Sequence, residues 1–463
     1  MGHLMNDVGT TGGPDSEVRR ATVPCPAQAL HGRSSEAARP TLDPGSPRKA
    51  RSKRTLLKWL AGAALCLAVL DVGMARAGSS EDVVGLDALV QEALDNSPEI
   101  ARARLRTDAA RAGVPQARTL PDPSINLGYR ELNEREIEYG VRQEFPFPGK
   151  LGLRGDIASK AAEQSAQEAE AVRRRIVAQV KGAYYELSVT HRSIAVLEQN
   201  RQILIDFEKI ARTQYGVGQT AQQDVLRAQT ELSRILTRIA ILQQQRQSLE
   251  AEINRLLNRP PRNALGRPLP VIVRPMTASL DELSASLDQS APMLRAQAKG
   301  VERGDRALEL ARREYLPDFE LDGSLMRDLD MRSDGFRVML SVKVPLYYAT
   351  RQREGIREAF AMRSAAEQDL YVTRQELLFQ VKDSYVRAQR AEQLIKLLSK
   401  AVIPQASLTL QSAQAGYSVG SVDFLTLLSS LMTLQENRLE LEMETAEHAK
   451  AVAKLEEIVG ELP

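Results

Sequence analysis

The segment Gly416-Tyr-Ser-Val-Gly420 has the Gly-x-Ser-x-Gly spacing that, in a hydrolase, presents a nucleophilic serine at a sharp strand-to-helix turn. Both sides of this segment have the composition of long helices, so the strand that such a turn requires is missing. A matching segment at residues 216–220, Gly-Val-Gly-Gln-Thr, has no serine. We therefore interpret Ser418 as part of a connection between two helices and not as a nucleophile.

Other residues that could do chemistry are scarce. Only two of the four histidines, His191 and His448, lie beyond residue 77, and both cysteines, Cys25 and Cys66, lie before it. His191 falls on an apolar helical stripe, which favours a packed side chain over a base or a ligand. No His-Glu-x-x-His or Cys-x-x-Cys motif occurs. The sequence thus predicts no enzyme, no cofactor and no metal site.

A possible phosphate-binding loop can also be rejected. Gly149-Lys150 is preceded by Glu144 at the position where that loop needs its first glycine.

The first 77 residues have the layout of a secretory signal peptide. A Gly/Pro/Ser-rich stretch is followed by basic residues from Arg48 to Lys58, an apolar run at 59–70 and the small-residue triplet ending at Ala77. We expect cleavage after Ala77 and a translation start downstream of Met1. Without these residues the chain has 62 − 11 = 51 basic and 60 − 6 = 54 acidic side chains. This balance argues against nucleic acid as a partner.

The rest of the chain contains the same pattern twice, about two hundred residues apart. In each copy the motifs keep the same order. The matched segments are 89–105 with 283–299, 117–127 with 312–323, 141–147 with 340–346, 178–187 with 379–388, and 212–218 with 414–420.

These matches predict two tandem units joined by a proline-rich linker. Each unit is expected to contain an initial helix, two strands, a very long helix, a glycine turn and another long helix. The predicted bounds are 78–258 for the first unit (strands 123–147, hairpin tip 216–220), 259–276 for the linker, and 277–463 for the second unit (strands 317–347, tip 416–421).

The predicted strands are two-faced. Apolar and polar residues alternate over ten to twelve positions, which is the length of a tilted membrane-crossing strand. Two soluble hairpins packed on helices would show the same alternation. The secretion signal and the aromatic enrichment favour strands in a bilayer, with these residues facing lipid: Tyr139, Val141, Phe145, Phe336, Val338, Leu340 and Val342.

The predicted helices are coiled-coil-like. From Val225 to Leu256 apolar residues recur in steps of three and four for more than four heptads. Antiparallel helix pairs with turns at the two glycine motifs follow from this pattern. At the turns, Thr220 with Gln223 predicts a capping box, and Ser421 with Asp423 predicts a cap followed by a first-turn acid.

These motifs together resemble the TolC-type outer-membrane efflux proteins. The resemblance rests on the repeated plan, the Leu-Pro-Asp motifs that precede the strands, and the tips at 212–229 and 415–427. The segment Phe-Pro-Phe-Pro-Gly-Lys at 145–150 is most similar to the CzcC-like branch of cobalt-zinc-cadmium efflux.

The resemblance implies a mainly α protein with a membrane β-barrel part. Three chains would contribute four strands each to a 12-stranded outer-membrane barrel, above a periplasmic coiled-coil tunnel. It also implies that the partners of the two-faced strands come from sister chains and that lipid covers their apolar side.

The resemblance further implies docking of a periplasmic adaptor that serves an inner-membrane RND pump. The residues that match the family's tip motif are Val217, Gly218 and Thr220 and, less closely, Val419, Gly420 and Ser421, with Arg212 as a further tip contact.

A passive exit duct for Co, Zn or Cd is therefore the predicted function, localised to the outer membrane and periplasm. Asp224 and Asp423 are candidate gate acids, although both are equally compatible with solvated carboxylates at helix starts. Export of organic compounds by the same fold is the first alternative. A periplasmic coiled-coil scaffold without a pore is the second.

Overall fold

The computed structural model describes residues 83–131 and 135–460. The predicted signal peptide, residues 1–77, lies outside this range. In chain order the elements are β1 (Val83–Val84), α1 (Leu86–Asn96), α2 (Pro98–Arg118), β2 (Ser124–Glu131), β3 (Arg135–Phe145), α3 (Lys150–Gly216), α4 (Gln222–Leu256), β4 (Arg267–Pro268), α5 (Leu280–Ser290), α6 (Pro292–Arg313), β5 (Asp318–Asp328), β6 (Asp334–Lys343), α7 (Gln352–Leu397), a π-helical turn (Leu398–Val402), α8 (Ile403–Ser418) and α9 (Phe424–Val459).

Each half begins with two helices, whereas a single initial helix was predicted. The breaks occur at Ser97-Pro98 and Ala291-Pro292, where proline opens the second helix. Proline has no backbone N–H and disfavours helical geometry in the residue before it, so a helix ends there and a new one begins. Apart from these breaks, the order of helices and strands is the same in both halves.

Between its matched segments, the long helix of the second half contains one residue more than α3. Residue 178 matches residue 379, a spacing of 201, whereas residue 212 matches residue 414, a spacing of 202. The π-helical turn Leu398–Val402 lies between these two matches. A π turn accommodates one inserted residue without rotating the flanking helix. The turn therefore keeps the apolar stripes before and after it on the same face.

Four long strands form one antiparallel sheet in the order β2-β3-β5-β6. Strand β3 pairs with β2 on one side and with β5 on the other. The expectation that its partners come from sister chains is therefore wrong, because both neighbours belong to the same chain. Within the described residues, β2 and β6 each have a free edge.

The sheet is two-faced, as predicted. In one row across all four strands, Leu127 lies opposite Tyr139, Tyr139 opposite Leu325, and Leu325 opposite Phe336. Their side chains are exposed, and Phe336 keeps 80% of its surface. The opposite face contains ion pairs: Arg142 lies 3.1 Å from Glu320 and 3.2 Å from Asp322.

The polar face is the less exposed one. Asp322 and Ser324 on this face each retain only 4% of their accessible surface.

The helices also form layers of four. Next to the sheet, α2, α3, α6 and α7 lie side by side in that order, and farther along α3 the order becomes α4, α3, α9 and the α7–α8 helix. The predicted seam of α4 is buried or half-buried at every position from Val225 to Leu256. One apolar cluster near the tips joins α3, α4, α8 and α9, and includes Leu204, Ile235 and Leu431.

Two further clusters occupy matching places in the two halves. Leu89, Ala93 and Ile100 are buried in one, and Leu283, Leu287 and Leu294 are buried in the other. These residues occupy equivalent positions in the matched segments 89–105 and 283–299. The same apolar spacing therefore produces the same helix packing twice.

The linker is held against α3. The Tyr184 hydroxyl donates to the Val84 carbonyl at 3.0 Å and accepts from the Leu269 backbone N–H at 2.9 Å. Ser188 donates to the Leu269 carbonyl at 3.1 Å. These bonds join β1 and β4, which pair in parallel, to the side of the long helix.

None of the helices in the described part of the chain has the length and apolar character needed to cross a membrane.

Candidate functional site

The first hairpin tip is a tight glycine turn. Helix α3 ends at Gly216, and Gly218 has φ +76°, a left-handed conformation that glycine adopts without steric cost. The Gly218 N–H donates to the Tyr215 carbonyl at 3.0 Å, and the Gln219 N–H donates to the Gln214 carbonyl at 2.9 Å. This pair of bonds closes the helix end and turns the chain toward α4.

The second tip has the same construction. Gly420 has φ +75°, its N–H donates to the Tyr417 carbonyl at 3.2 Å, and the Ser421 N–H donates to the Gly416 carbonyl at 2.9 Å. Ser418 is the last residue of α8, and its hydroxyl donates to the Ala415 carbonyl at 2.6 Å. The Gly-x-Ser-x-Gly match thus lies in a helix-turn-helix connection, as interpreted from the sequence.

The capping predictions at both tips are wrong. Helix α4 begins at Gln222 with Ala221 as its N-cap, and the Thr220 hydroxyl instead donates to the Ala211 carbonyl at 3.4 Å. In the second tip Asp423 is itself the N-cap and accepts from the Thr426 N–H at 3.2 Å. The Ser421 hydroxyl donates back to Gly416. The glycine turn is longer than the sequence suggested, so each helix starts later.

The two tips lie side by side. They line a shared cavity of about 740 Å³, open to solvent, to which the first tip contributes Thr220, Asp224 and Arg227. The second tip contributes residues 417–424. The cavity has a largely polar surface, and its apolar floor is formed by Tyr417 and Phe424, whose rings meet edge to face at 5.7 Å.

The two candidate gate acids have different electrostatic environments. Partial burial raises the pKa of Asp224, with a smaller contribution from the Asp423 charge, while Arg227 opposes the change. The pKa of Asp423 is lowered, chiefly by the hydrogen bond that its carboxylate accepts from the Thr426 side chain. Burial also raises the pKa of Tyr417. Arg227 acts on both acids, so the three charges form one group.

The predicted docking residues are largely presented to solvent. Val217 is 67% exposed and Val419 is 77% exposed. Arg212 forms an ion pair with Glu208 one helical turn before it, and Gln229 donates to the same carboxylate at 3.2 Å. This network joins α3 to α4 just behind the first tip.

All seven predicted lipid-facing residues are exposed on one face of the sheet. Their exposed fractions run from 38% at Phe145 to 80% at Phe336. The set is Tyr139, Val141, Phe145, Phe336, Val338, Leu340 and Val342. Four strands of one chain thus carry an apolar surface that nothing in the described residues covers.

Sequence reasoning missed Arg227, Tyr417 and Phe424. Each belongs to an unremarkable helical pattern, and only the approach of the two tips gives them a shared cavity. It also missed the structural role of Lys150, which was considered as part of a rejected phosphate loop and as the end of the 145–150 motif. Lys150 is 1% exposed and lies among acids at the junction between sheet and helices. The feature of the sequence that could have drawn attention to Lys150 is its position directly after a Pro-Gly pair.

The histidines occupy helical packing positions. His191 is half-buried on α3. His448 is buried on α9, and burial lowers its pKa. Within residues 83–131 and 135–460, no group of three or more His, Cys, Asp or Glu side chains is arranged to hold a metal ion.

Comparison with known proteins agrees with this architecture. The family model described as outer membrane efflux protein matches residues 89–259 and 283–461. The cobalt-zinc-cadmium resistance protein CzcC of Cupriavidus metallidurans is 19% identical over 391 residues, covering 81% of this chain and 90% of that protein.

Solved structures show the same fold. The outer membrane protein VceC of Vibrio cholerae matches with a TM-score of 0.70 and 17% identity, over 81% of this chain and 96% of VceC. CusC, whose structures describe transmembrane channel formation, matches with a TM-score of 0.72 and 17% identity, over 84% of this chain and 95% of CusC.

The resemblance to TolC-type outer-membrane efflux proteins is thereby confirmed. Fold and family are those of channel proteins rather than enzymes. Because the family model covers most of the sequence in two stretches that match the two halves of the structure, the chain belongs to the outer membrane efflux protein family.

Proposed function

We propose that three copies of this chain form the outer-membrane exit duct of a tripartite, RND-type efflux system. The observation that carries the proposal is the four-stranded sheet, open at both edges, with an exposed apolar face and an opposite face that contains ion pairs. An open sheet edge and an uncovered apolar face are both unfavourable in water. Closure into a barrel within lipid removes both costs.

The helical layers support the same threefold closure. Each layer has two free sides, formed by α2 and α7 next to the sheet and by α4 and the α7–α8 helix farther away. Exposed apolar side chains occur on these outer helices, among them Leu236, Phe360 and Phe379. Head-to-tail contact between identical copies covers all of these edges when the rotation closes a ring. Three copies of four strands then make a 12-stranded barrel, and the helices form a tunnel.

We further propose that the chain consists of two tandem units, 78–258 and 277–463, joined by the linker 259–276. Residues 1–77 serve as the signal peptide for export. The barrel strands lie in the outer membrane, with residues such as Val141 and Val338 against lipid, and the helices extend into the periplasm.

The hairpin tips are proposed as the docking site for a periplasmic adaptor. Val217, Gly218 and Thr220 of the first tip and Val419, Gly420 and Ser421 of the second form the contact surface, with Arg212 beside them. The exposed valines supply apolar contact area, and the left-handed glycines let the turns be tight enough to interdigitate. Asp224 and Asp423 are the candidate gate acids at the tunnel mouth.

Divalent cobalt, zinc or cadmium is the proposed cargo. The similarity to CzcC supports this assignment. Organic compounds are the alternative cargo for a channel of this fold.

Planar-bilayer recording of the detergent-purified protein tests the pore. The proposal expects stable single-channel conductance from a trimer that needs detergent to remain in solution. A water-soluble monomer without conductance would support the periplasmic scaffold instead.

A deletion strain then separates the two cargo classes. Growth against a panel of cobalt, zinc and cadmium salts and of organic toxicants is compared with growth of the complemented strain. Sensitivity to metal salts alone supports metal export, whereas sensitivity to organic toxicants alone would overturn the metal assignment.

Gly218→Asp and Gly420→Asp in the complementing gene test docking, because both should abolish resistance and adaptor crosslinking.

A further inference from the structure

A buried lysine connects the two halves of the chain where the sheet meets the helices. Lys150, the first residue of α3, donates from Nζ to the Leu316 carbonyl and to a carboxylate oxygen of Asp318, both at 2.9 Å. Glu314 lies 3.4 Å from the same nitrogen. The carboxylate of Asp318 also accepts from the Phe147 N–H at 2.8 Å. The start of the first-half helix is thereby held to the segment that leads into β5.

Each group in this contact has a counterpart in the other half of the sequence. The Leu-Pro-Asp motif at 316–318 occurs also at 120–122, so Asp122 matches Asp318 and Leu120 matches Leu316. Residues 178–187 match 379–388 with a spacing of 201, and the same spacing along the helix takes Lys150 to Arg351. Arg351 immediately precedes α7, one position earlier than the place that Lys150 has as the first residue of α3.

Within one chain the two counterparts cannot meet. Asp122 precedes β2 at one edge of the sheet, and Arg351 follows β6 at the opposite edge. Both side chains are exposed, and among the described residues neither forms an ion pair. Leu346 and Tyr347 beside Arg351 are exposed at 74% and 77%, and Leu120 is exposed as well. Each edge of the sheet therefore has a charged side chain without an ion-pair partner among the described residues, next to exposed apolar side chains.

We propose that Arg351 of one copy binds Asp122 and the Leu120 carbonyl of the next copy, as Lys150 binds Asp318 and the Leu316 carbonyl within the chain. The inference rests on the proposed threefold assembly and names the contact that closes it. The partner is a second copy because the internal repeat already contains this interface once. Arg351 is a cation like Lys150, Asp122 is an acid like Asp318, and each occupies the matching region of its half. A contact that joins two different edges of identical chains is heterologous, and it closes into a ring when the rotation between copies completes a full turn. Arginine in place of lysine presents a planar fork suited to a carboxylate at a more accessible site.

Crosslinking tests the contact directly. Asp122→Cys and Arg351→Cys are combined in a background in which Cys25 and Cys66 are replaced by alanine, and the protein in native membranes is treated with a short bis-maleimide. We expect covalent dimers and trimers on denaturing gels. The matched control combines Asp122→Cys with Arg387→Cys, an exposed arginine on the same helix about 50 Å farther along. This control should give no covalent dimers or trimers.

Charge exchange provides a second readout. Asp122→Arg and Arg351→Asp should each lower the temperature at which the trimer dissociates in mild detergent, because each places like charges together. The double exchange should restore the temperature at least halfway. A structural role confined to one chain would leave both single variants unchanged, since the two side chains have no partner there.

The outcomes distinguish a failure of the proposed contact from a failure of the proposed function. If trimers form but residues 122 and 351 do not crosslink and the charge variants dissociate like the parent, the proposed contact is wrong while the channel stands. If no oligomer forms from the unmodified chain, the assembly itself is wrong.

Discussion

The Lys150 ammonium group lies 2.9 Å from the Asp318 carboxylate, and the two residues belong to different halves of the chain. Lys150 has almost no contact with solvent, so its charge is stabilised mainly by Asp318, Glu314 and the Leu316 carbonyl. A buried cation that loses its partner is costly, as is a partner that loses the cation. The relative position of α3 and β5 therefore depends on this contact.

Replacing Lys150 by methionine should destabilise the fold by about 3–5 kcal/mol, the range for breaking a buried ion pair. Urea denaturation of the detergent-solubilised protein measures the change. Lys160→Met is the control: this lysine pairs with Glu163 and Glu302 at a more accessible site, and its loss should cost at most about 1 kcal/mol. Equal effects of the two variants would contradict the role assigned to Lys150.

Gly416→Ala should destabilise the second tip by about 1–3 kcal/mol, as overpacked sites do. A methyl group at residue 416 would come within 2.5 Å of Cγ2 of Val422 across the turn. Gly182→Ala is the matched control in the interior of α3, where an added methyl group meets nothing, and it should stabilise the helix by up to about 1 kcal/mol. Amide hydrogen exchange of the second-tip peptides measures the first change, and exchange of α3 peptides around residue 182 measures the second.

The two tip acids should respond to pH in opposite directions. The pKa of Asp224 is raised in the folded chain, so its ionised form costs stability, and protonation as pH falls toward that raised pKa removes the cost. The pKa of Asp423 is lowered, so its contribution is present above the unfolded pKa and is lost as pH falls through the folded one.

A fluorophore on Val419→Cys reports unfolding of the tip at pH 7 and at about pH 4, near the ordinary pKa of an aspartate. Asp224→Asn should make the tip more stable than the parent at pH 7, with the difference shrinking at the lower pH. Asp423→Ala should make the tip less stable at pH 7, because the cap of α9 is lost. Asp224→Asn weakening the tip at pH 7 would refute the assigned electrostatics.

Deleting Lys400 from the π turn should leave the fold intact. The turn holds one residue more than the corresponding part of α3, so removing an exposed residue there should give a straight helix with both flanking apolar faces in place. Deleting Lys382, an exposed residue in the regular part of α7, would rotate the rest of the helix by about 100°. Yield of folded trimer should be retained in the first case and lost in the second.

Much of this molecule could be predicted locally. The alternation around Val141 and Val338 correctly predicted strands with one apolar face, and the heptad spacing from Val225 predicted the α4 seam. Such patterns are visible because a strand or helix buries residues at a fixed period along the chain. The predictions of the helix N-caps were wrong. Thr220 and Ser421 are residue types that often cap helices, but the number of residues in each turn depends on how the glycine ends the preceding helix.

By itself the sequence determined which segments are strands and helices, which faces are apolar, and the family whose motifs it shares, because all of these depend on residues close together in the chain. Only the tertiary structure decided that β3 finds both partners within its own chain, that the two tips share a cavity around Arg227, and that Lys150 reaches Asp318. Those relationships join residues far apart in the chain, 168 positions in the case of Lys150 and Asp318, or place separate hairpins side by side. Distances of that kind are set by packing of the whole chain and leave no periodic trace in the sequence.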